Sequence, residues 1–161
     1  MLTLEIFYES FSEEILNSLK SSLEATYPLR VVFSENLIPP ENARDAERNQ
    51  YDAGILLRIL ERKRTKDFAL WVVDSDIFIT GMNFVFGVAN YREAILSLYR
   101  LPSLEMISKE AIHEVGHLFG LDHCQNSCVM RFSNTFAEAM MKPKELCPEC
   151  RKLLEELLKE I

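Results

Sequence analysis

The 161-residue chain has the length of one ordinary domain, and its 48% apolar residues are enough to build a hydrophobic core without disulfide bonds. Its net charge of −7 argues against nucleic-acid binding, because phosphate contacts require clustered lysine and arginine. No stretch approaches the roughly 20 apolar residues of a membrane helix, and the acidic N-terminal sequence lacks the features of an export signal. We therefore expect a cytoplasmic protein that binds neither nucleic acid nor membrane.

The N-terminal part of the chain predicts a β-α-β unit. Residues 2–8 alternate as a strand does, residues 11–26 repeat apolar side chains at helical spacing, and residues 30–33 form a second apolar strand. Ser10, with Glu13 three residues later, is a possible capping box for the helix. Such a unit implies a right-handed crossover between two parallel strands.

The middle of the chain predicts one helix and three strands. Residues 53–64 have the apolar spacing of a helix, and residues 68–73 are a continuous apolar run, which is typical of a buried strand. Residues 83–89 and 94–99 predict two more strands, and the short turn between them favours an antiparallel pair. Gly87 inside a strand pattern indicates a bulge or a close backbone approach.

The C-terminal part predicts three helices. Ser103 is a plausible N-cap for the first, and Gly120 lies where a glycine ends a helix. Residues 124–135 have no regular pattern. Residues 136–142 and 151–160 have helical spacing.

All three histidines of the chain lie within eleven positions. His113 and His117 are four apart on the predicted helix, so their side chains share one face at a spacing that suits one metal ion. Gly120 permits a sharp turn that can return His123 as a third ligand. Three imidazoles leave a zinc ion an open position for water, whose pKa zinc lowers to about 7. Glu114 is offset by about 100 degrees and is placed as a general base.

The four cysteines form two pairs, separated by 18 residues. Cys124 and Cys128 have the spacing C-x3-C, and Cys147 and Cys150 have the spacing C-x2-C. Such pairs suit tetrahedral coordination of a structural zinc ion, which leaves no open position for water.

Other interpretations of both clusters stay open at this point. Buried histidines can be satisfied by hydrogen bonds alone. A chance match to the whole five-residue pattern is rare, however, which favours metal binding. The cysteines can form two disulfides, remain free thiols, or carry redox chemistry at Cys147 and Cys150. A reducing compartment and the pairing of the cysteines favour zinc over these alternatives.

The segment HEVGHLFGLDH resembles the metzincin metallopeptidase signature. That resemblance implies that His113, His117 and His123 bind the catalytic zinc and that Glu114 is the general base. It also makes Met130, in SCVMRFS, the candidate for the methionine of the turn beneath the zinc. The histidine motif running into HC-x3-C-V-M, with C-x2-C later, is similar to the archaemetzincins, as are NFVFG and QYDAGILLRIL.

The archaemetzincin resemblance implies one compact α/β (α+β-like) domain with two zinc ions in distinct sites. We expect a mixed twisted sheet of about five strands with one antiparallel edge strand, a backing helix, an active-site helix and a C-terminal helix. The domain is expected to span 1–161. Residues 1–102 would contain the sheet and backing helices. Residues 103–161 would contain the active-site helix, the methionine turn, the four-cysteine site and the C-terminal helix.

Three functional hypotheses follow from these residues. The first is a monomeric zinc peptidase that acts on peptides, with aminopeptidase-like action as one form that the resemblance implies. The second is a zinc-dependent peptide-binding or regulatory module with little turnover. The third is a latent enzyme gated by the cysteine cluster, because Cys124 directly follows His123.

Overall fold

The computed structural model describes residues 1–160, so only the last residue of the predicted domain lies outside it. In chain order the strands are β1 (Leu2–Tyr8), β2 (Leu29–Asn36), β3 (Arg44–Asp45), β4 (Gln50–Asp52), β5 (Phe68–Val73), β6 (Ile77–Phe78), β7 (Gly87–Ala89) and β8 (Glu93–Ser97). The helices are α1 (Glu13–Thr26), α2 (Ala53–Lys63), α3 (Leu104–Leu118), α4 (Phe136–Met141) and α5 (Pro148–Leu158). Within this part of the chain, no helix is both long and apolar enough to cross a membrane.

Five strands form the main sheet, in the spatial order β2-β1-β5-β8-β7. β1 is parallel to β2 and β5, and β5 is parallel to β8. β7 is antiparallel to β8 and lies at the edge of the sheet. The predicted mixed sheet with one antiparallel edge strand is therefore confirmed. A second sheet of the short strands β3, β4 and β6 was not predicted.

Helices cover both faces of the main sheet. Leu70 on β5 packs into the core that contains α1 and α3, whereas its neighbour Trp71 packs into the core that contains α2. Both side chains have no solvent exposure. Because β5 is buried on both faces, its sequence is a continuous apolar run rather than an alternating one.

Helix α1 begins two residues later than its predicted start. Ser12, rather than Ser10, is the N-cap, and its hydroxyl oxygen accepts a hydrogen bond from the Ile15 amide at 3.3 Å. The Ser10 hydroxyl donates instead to the carboxylate of Asp74. The predicted capping box is therefore wrong, and Phe11 lies outside the helix with 66% of its surface exposed.

Only the last three residues of the predicted 83–89 strand form β7. The residues before them follow a loop, in which the Arg48 guanidinium donates to the carbonyl oxygens of Met82 (2.6 Å) and Asn83 (3.2 Å). Those carbonyls are therefore bonded to a side chain instead of a neighbouring strand. Val85 alone makes an antiparallel bridge, to β6.

The C-terminal helices lie close to their predicted positions. Ser103 caps α3 as predicted, and its hydroxyl accepts from the backbone amide three residues later at 3.2 Å. The last helix begins at Pro148, earlier than the predicted 151–160 segment, because Cys147 is its N-cap. The Cys147 sulfur accepts from the Cys150 amide at 3.4 Å. The second cysteine pair therefore forms the first turn of this helix.

Candidate active site

Helix α3 places two histidines and a glutamate on the wall of a cavity. The helix packs its apolar residues under the sheet, where Ala111 and Val115 have no exposure. His113, Glu114 and His117 line a cavity of about 440 Å³ between the helix and the edge strand β7. His113 and Glu114 are 4% and 5% exposed, so water reaches this wall only through the cavity.

Gly120 reverses the chain after α3, as its position in the sequence predicted. Its φ of +100° is in the left-handed region, which residues with a Cβ rarely adopt. The Gly120 amide donates to the His117 carbonyl at 3.0 Å, and the Leu121 amide donates to the Gly116 carbonyl at 3.0 Å. The turn brings the His123 ring within 5.0 Å of the His117 ring, measured between centroids.

Backbone carbonyls fix the tautomers of the two helical histidines. His113 Nδ1 lies 2.8 Å from the Val129 carbonyl oxygen, and His117 Nδ1 lies 2.7 Å from the Leu121 carbonyl oxygen. A carbonyl only accepts, so each Nδ1 donates and each Nε2 of a neutral ring carries a lone pair. The two Nε2 atoms are 3.2 Å apart. Two facing lone pairs at this distance repel each other unless a cation lies between them.

The surroundings keep these imidazoles in the form that binds metals. Burial lowers the pKa of His113 to about 2, and burial also lowers the pKa values of His117 and His123. Nitrogen atoms of all three rings lie within 4.8 Å of one another. Neutral imidazoles that converge in this way are the ligand set of catalytic zinc sites, so these residues fit the metal.

Glu114 lies between the histidines and the edge strand. Burial and then the charge of nearby Glu110 raise the pKa of Glu114 well above its ordinary value. A Cβ at Gly87 on β7 would lie only 2.7 Å from Glu114 Cγ and 2.9 Å from its Oε2. The close backbone approach that the sequence indicated at Gly87 is therefore an approach to this carboxyl group.

Met130 lies under α3 and has no solvent exposure. A Cβ at Gly116 would lie 2.5 Å from the Met130 sulfur, so any larger residue there would require the methionine side chain to move. The Met130 carbonyl accepts from the Cys124 amide at 3.0 Å. This contact ties the segment beneath the helix to the residue that follows the third histidine.

The four cysteines also converge, with their sulfur atoms within 4.8 Å of one another. All four are free thiols, and the Cys124 and Cys147 sulfurs are 3.7 Å apart. The Cys128 sulfur accepts from the amides of Met130 (3.4 Å) and Cys147 (3.3 Å). Burial raises the pKa of the Cys147 thiol, but the hydrogen bonds that it accepts outweigh this effect and lower the value to about 6. Backbone amides donate to the sulfurs of Cys124, Cys128 and Cys147, whereas burial raises the pKa values of the Cys128 and Cys150 thiols. Four converging sulfurs with such donors suit a metal cation, which stabilises thiolates.

A model described as peptidase family M54 matches residues 41–156. The chain belongs to this family. The archaemetzincin of Nanoarchaeum equitans is 37% identical to it over 146 residues, which cover 90% of this chain and 85% of that protein. The match confirms the resemblance found in the histidine and cysteine motifs, and it places the chain in a class of zinc metallopeptidases.

Solved structures have the same fold. The archaemetzincin of Methanopyrus kandleri superposes with a TM-score of 0.90 at 32% identity, covering 98% of this chain and 96% of that one. A zinc-dependent peptidase from Methanocorpusculum labreanum has a TM-score of 0.80 at 29% identity, with 94% and 99% covered. These similarities extend over nearly the whole archaemetzincin chain, including its N-terminal β-α-β unit.

A buried ion pair at the cavity was not predicted from the sequence. Lys142 Nζ lies 3.0 Å from Glu110 Oε1, and the two side chains are 2% and 4% exposed. The ammonium also donates to the Arg131 carbonyl at 3.1 Å and lies 3.5 Å from His113 Nδ1. Glu110 is one helical turn before Glu114, so the sequence could have placed it on the same face. Nothing in the sequence indicated Lys142, which reaches the site from the end of α4.

Proposed function

We propose that this archaemetzincin is a zinc-dependent peptidase in which His113, His117 and His123 bind the catalytic metal. The observation that carries the proposal is the pair of Nε2 lone pairs, 3.2 Å apart, beside the buried Glu114 carboxyl group. Without a cation the two lone pairs repel each other, and with a cation between them both can act as ligands. Membership of a metallopeptidase family supports zinc as that cation.

Glu114 is the proposed general base. A zinc ion bound at the three imidazoles supplies Lewis-acid activation of a water molecule and of the scissile carbonyl. Glu114 accepts a proton from the attacking water and then donates it to the nitrogen of the departing amine. The carbonyls of Val129 and Leu121 hold the imidazoles of His113 and His117 in one orientation throughout.

The edge strand β7 is the proposed guide for the substrate. It pairs with β8 on one side and borders the cavity on the other. An extended peptide can add to such an edge through backbone hydrogen bonds. The proposed substrates are therefore peptides, and rates on peptides with free and acetylated N-termini distinguish aminopeptidase-like action from internal cleavage.

The four cysteines are the proposed ligands of a second, structural zinc ion. Four thiolates fill the tetrahedral shell, so this ion has no catalytic position. Metal-binding thiols persist in a reducing compartment, which supports action in the cytoplasm. We further propose a single monomeric domain, with residues 103–161 carrying both metal sites. The net charge of −7 supports peptides rather than nucleic acids as its partners.

Metal content tests both sites. Protein purified without added zinc should contain two zinc ions per chain, and the His117→Ala and Cys150→Ser variants should each retain one in zinc-saturated buffer. Circular dichroism confirms that each variant is folded. A single ion in the wild type that survives both substitutions would overturn the two-site assignment.

Peptide hydrolysis tests the role of Glu114. Glu114→Ala should retain both zinc ions and lose hydrolysis of a mixed peptide library. Glu105→Ala is the matched control, because Glu105 is on the same helix with its side chain 71% exposed. If the wild type binds these peptides in zinc-saturated buffer but cleaves none, the chain is a peptide-binding module and the proposed enzymatic function is wrong.

A further inference from the structure

The third histidine of the candidate active site is held differently from the other two. His113 and His117 each donate through Nδ1 to a backbone carbonyl, at 2.8 and 2.7 Å. No hydrogen bond within residues 1–160 fixes a ring nitrogen of His123 in the same way, and this side chain is exposed. Metal-binding imidazoles almost always have such a partner, which fixes the orientation of the ring. The orientation of the His123 ring therefore depends on its packing contacts.

Phe132 packs against the ring of His123. The two ring centroids are 5.0 Å apart, and the ring planes are inclined at 42°. The other rings near His123 are the imidazoles of His113 and His117, at 5.3 and 5.0 Å between centroids. These two are proposed ligands of the same metal ion. Among the described aromatic rings, Phe132 is therefore the neighbour that can support His123 from outside the ligand set.

The backbone directly before Phe132 is anchored at both of its polar groups. The Arg131 amide donates to the Cys128 carbonyl at 3.0 Å, and the Arg131 carbonyl accepts from the buried Lys142 ammonium at 3.1 Å. The Arg131 guanidinium also donates to the Gln125 carbonyl at 2.7 Å. These bonds fix the start of Phe132, so its ring can act as a rigid support although 40% of the residue is exposed.

Binding of a metal ion strengthens the contact between these two rings. A metal-bound imidazole carries part of the charge of the ion, and an aromatic ring attracts a cation that lies within about 6 Å of its centroid. Phe132 also lines the candidate active-site cavity, so contact with a bound peptide alone is the competing role for it. The two roles differ in one respect, because support of His123 acts on metal binding when no peptide is present.

We propose that Phe132 is a positioning residue whose ring holds the His123 imidazole in the orientation that binds the catalytic metal. The inference rests on the proposed function, because it takes the three histidines to be the ligands. An aromatic contact is weaker than the hydrogen bonds that orient most metal-binding imidazoles. Loss of the Phe132 ring should therefore weaken metal binding at the histidines by about three- to tenfold.

Cobalt binding tests the inference without peptide and without turnover. Protein with zinc at the cysteines is titrated with Co²⁺ against a competing chelator, and the visible spectrum of His117→Ala, treated identically, is subtracted. Phe132→Ala should bind cobalt about three- to tenfold more weakly than the wild type. Its bound cobalt should also absorb less strongly, because water joins the ion when an imidazole is loosely held. Phe132→Tyr keeps the ring and should bind cobalt within about twofold of the wild type.

Phe136→Ala is the matched control, because Phe136 is 44% exposed and lies on α4. It should retain the wild-type cobalt affinity and spectrum. Circular dichroism verifies that each variant is folded. If Phe132→Ala does not fold, Phe132→Leu decides the question by the same measurements, because leucine keeps apolar volume at this position but has no ring.

An unchanged affinity or a wild-type spectrum in Phe132→Ala overturns the inference. An equal loss of affinity in Phe132→Tyr or in Phe136→Ala also overturns it, because the loss would not then depend on a ring at residue 132. If the wild type shows no cobalt signal beyond that of His117→Ala, the proposed metal site itself fails, and the inference fails with it.

Discussion

Replacing Gly87 with alanine places a methyl group between the edge strand and the proposed general base. The added Cβ would lie 2.7 Å from Glu114 Cγ and 2.8 Å from the Ile95 carbonyl oxygen. Ordinary contacts of a Cβ begin at 3.4 Å, so Glu114 must move by about 0.7 Å. The contact with Ile95 is a backbone contact, and relieving it requires β7 to separate from β8.

Both movements have predictable costs. Overpacking of this kind typically costs about 1–3 kcal/mol of the free energy of unfolding, which for a chain of this size lowers Tm by about 2–12 °C. A misplacement of about 1 Å in a reacting group costs about a hundredfold in rate. We therefore expect kcat of Gly87→Ala to fall by between about ten- and a hundredfold.

The assay compares kcat, Tm and zinc content in Gly87→Ala and the wild type. Zinc content should be unchanged, because no proposed ligand is altered. Gly54→Ala on α2 is the matched control, since a Cβ there meets only the side-chain oxygen of Asp52 at 3.2 Å. A Gly87→Ala variant with wild-type kcat and Tm would refute the argument that β7 passes Glu114 only because residue 87 is glycine.

Three further predictions concern a buried hydroxyl, the buried ion pair and a surface carboxylate. The buried Tyr27 hydroxyl donates to the Ile112 carbonyl at 2.7 Å, so Tyr27→Phe should lose about 1 kcal/mol of stability and keep its kcat; an unchanged Tm contradicts this. Lys142→Met leaves Glu110 unpaired and should cost about 3–5 kcal/mol in urea denaturation, which Glu110→Leu/Lys142→Met largely restores. A double variant as unstable as Lys142→Met would contradict the pairing. A hydrogen bond from Lys20 lowers the pKa of Glu24 from its ordinary value of 4.5. The stability that this interaction contributes is therefore present above pH 4.5 and is lost as the pH falls. The difference in urea midpoint between wild type and Glu24→Gln should therefore close in acid, and a constant difference argues against this mechanism.

The parts of the site that depend on local geometry could be predicted from the sequence. The spacing of His113 and His117 fixes their shared helix face, and the left-handed turn at Gly120 requires glycine. Each of the two short cysteine spacings places two thiols close together on one local turn of the backbone. Each of these inferences uses contacts within a few residues, where backbone geometry leaves little freedom.

The parts that depend on distant side chains could not be predicted. The loop before β7 has an alternating apolar sequence, but Arg48 bonds its carbonyls from 34 residues away along the chain. Lys142, at the end of α4, contacts Glu110 on α3, and no periodic pattern in the sequence indicates such a pair. The three short strands β3, β4 and β6 are defined by their pairing alone.

The four-cysteine cluster adjoins the histidine site at two points of the chain. The adjacency of Cys124 and His123 linked the cluster to the third histidine. The structure adds a second link, because Cys128 precedes Val129, whose carbonyl accepts from Nδ1 of His113. Between Leu121 and Thr135 the chain has no helix or strand, so secondary structure does not hold this carbonyl in place. Partners that orient a metal-binding imidazole typically affect metal affinity by about 10–100-fold. Cysteines of the cluster therefore directly adjoin His123 and the residue whose carbonyl accepts from His113.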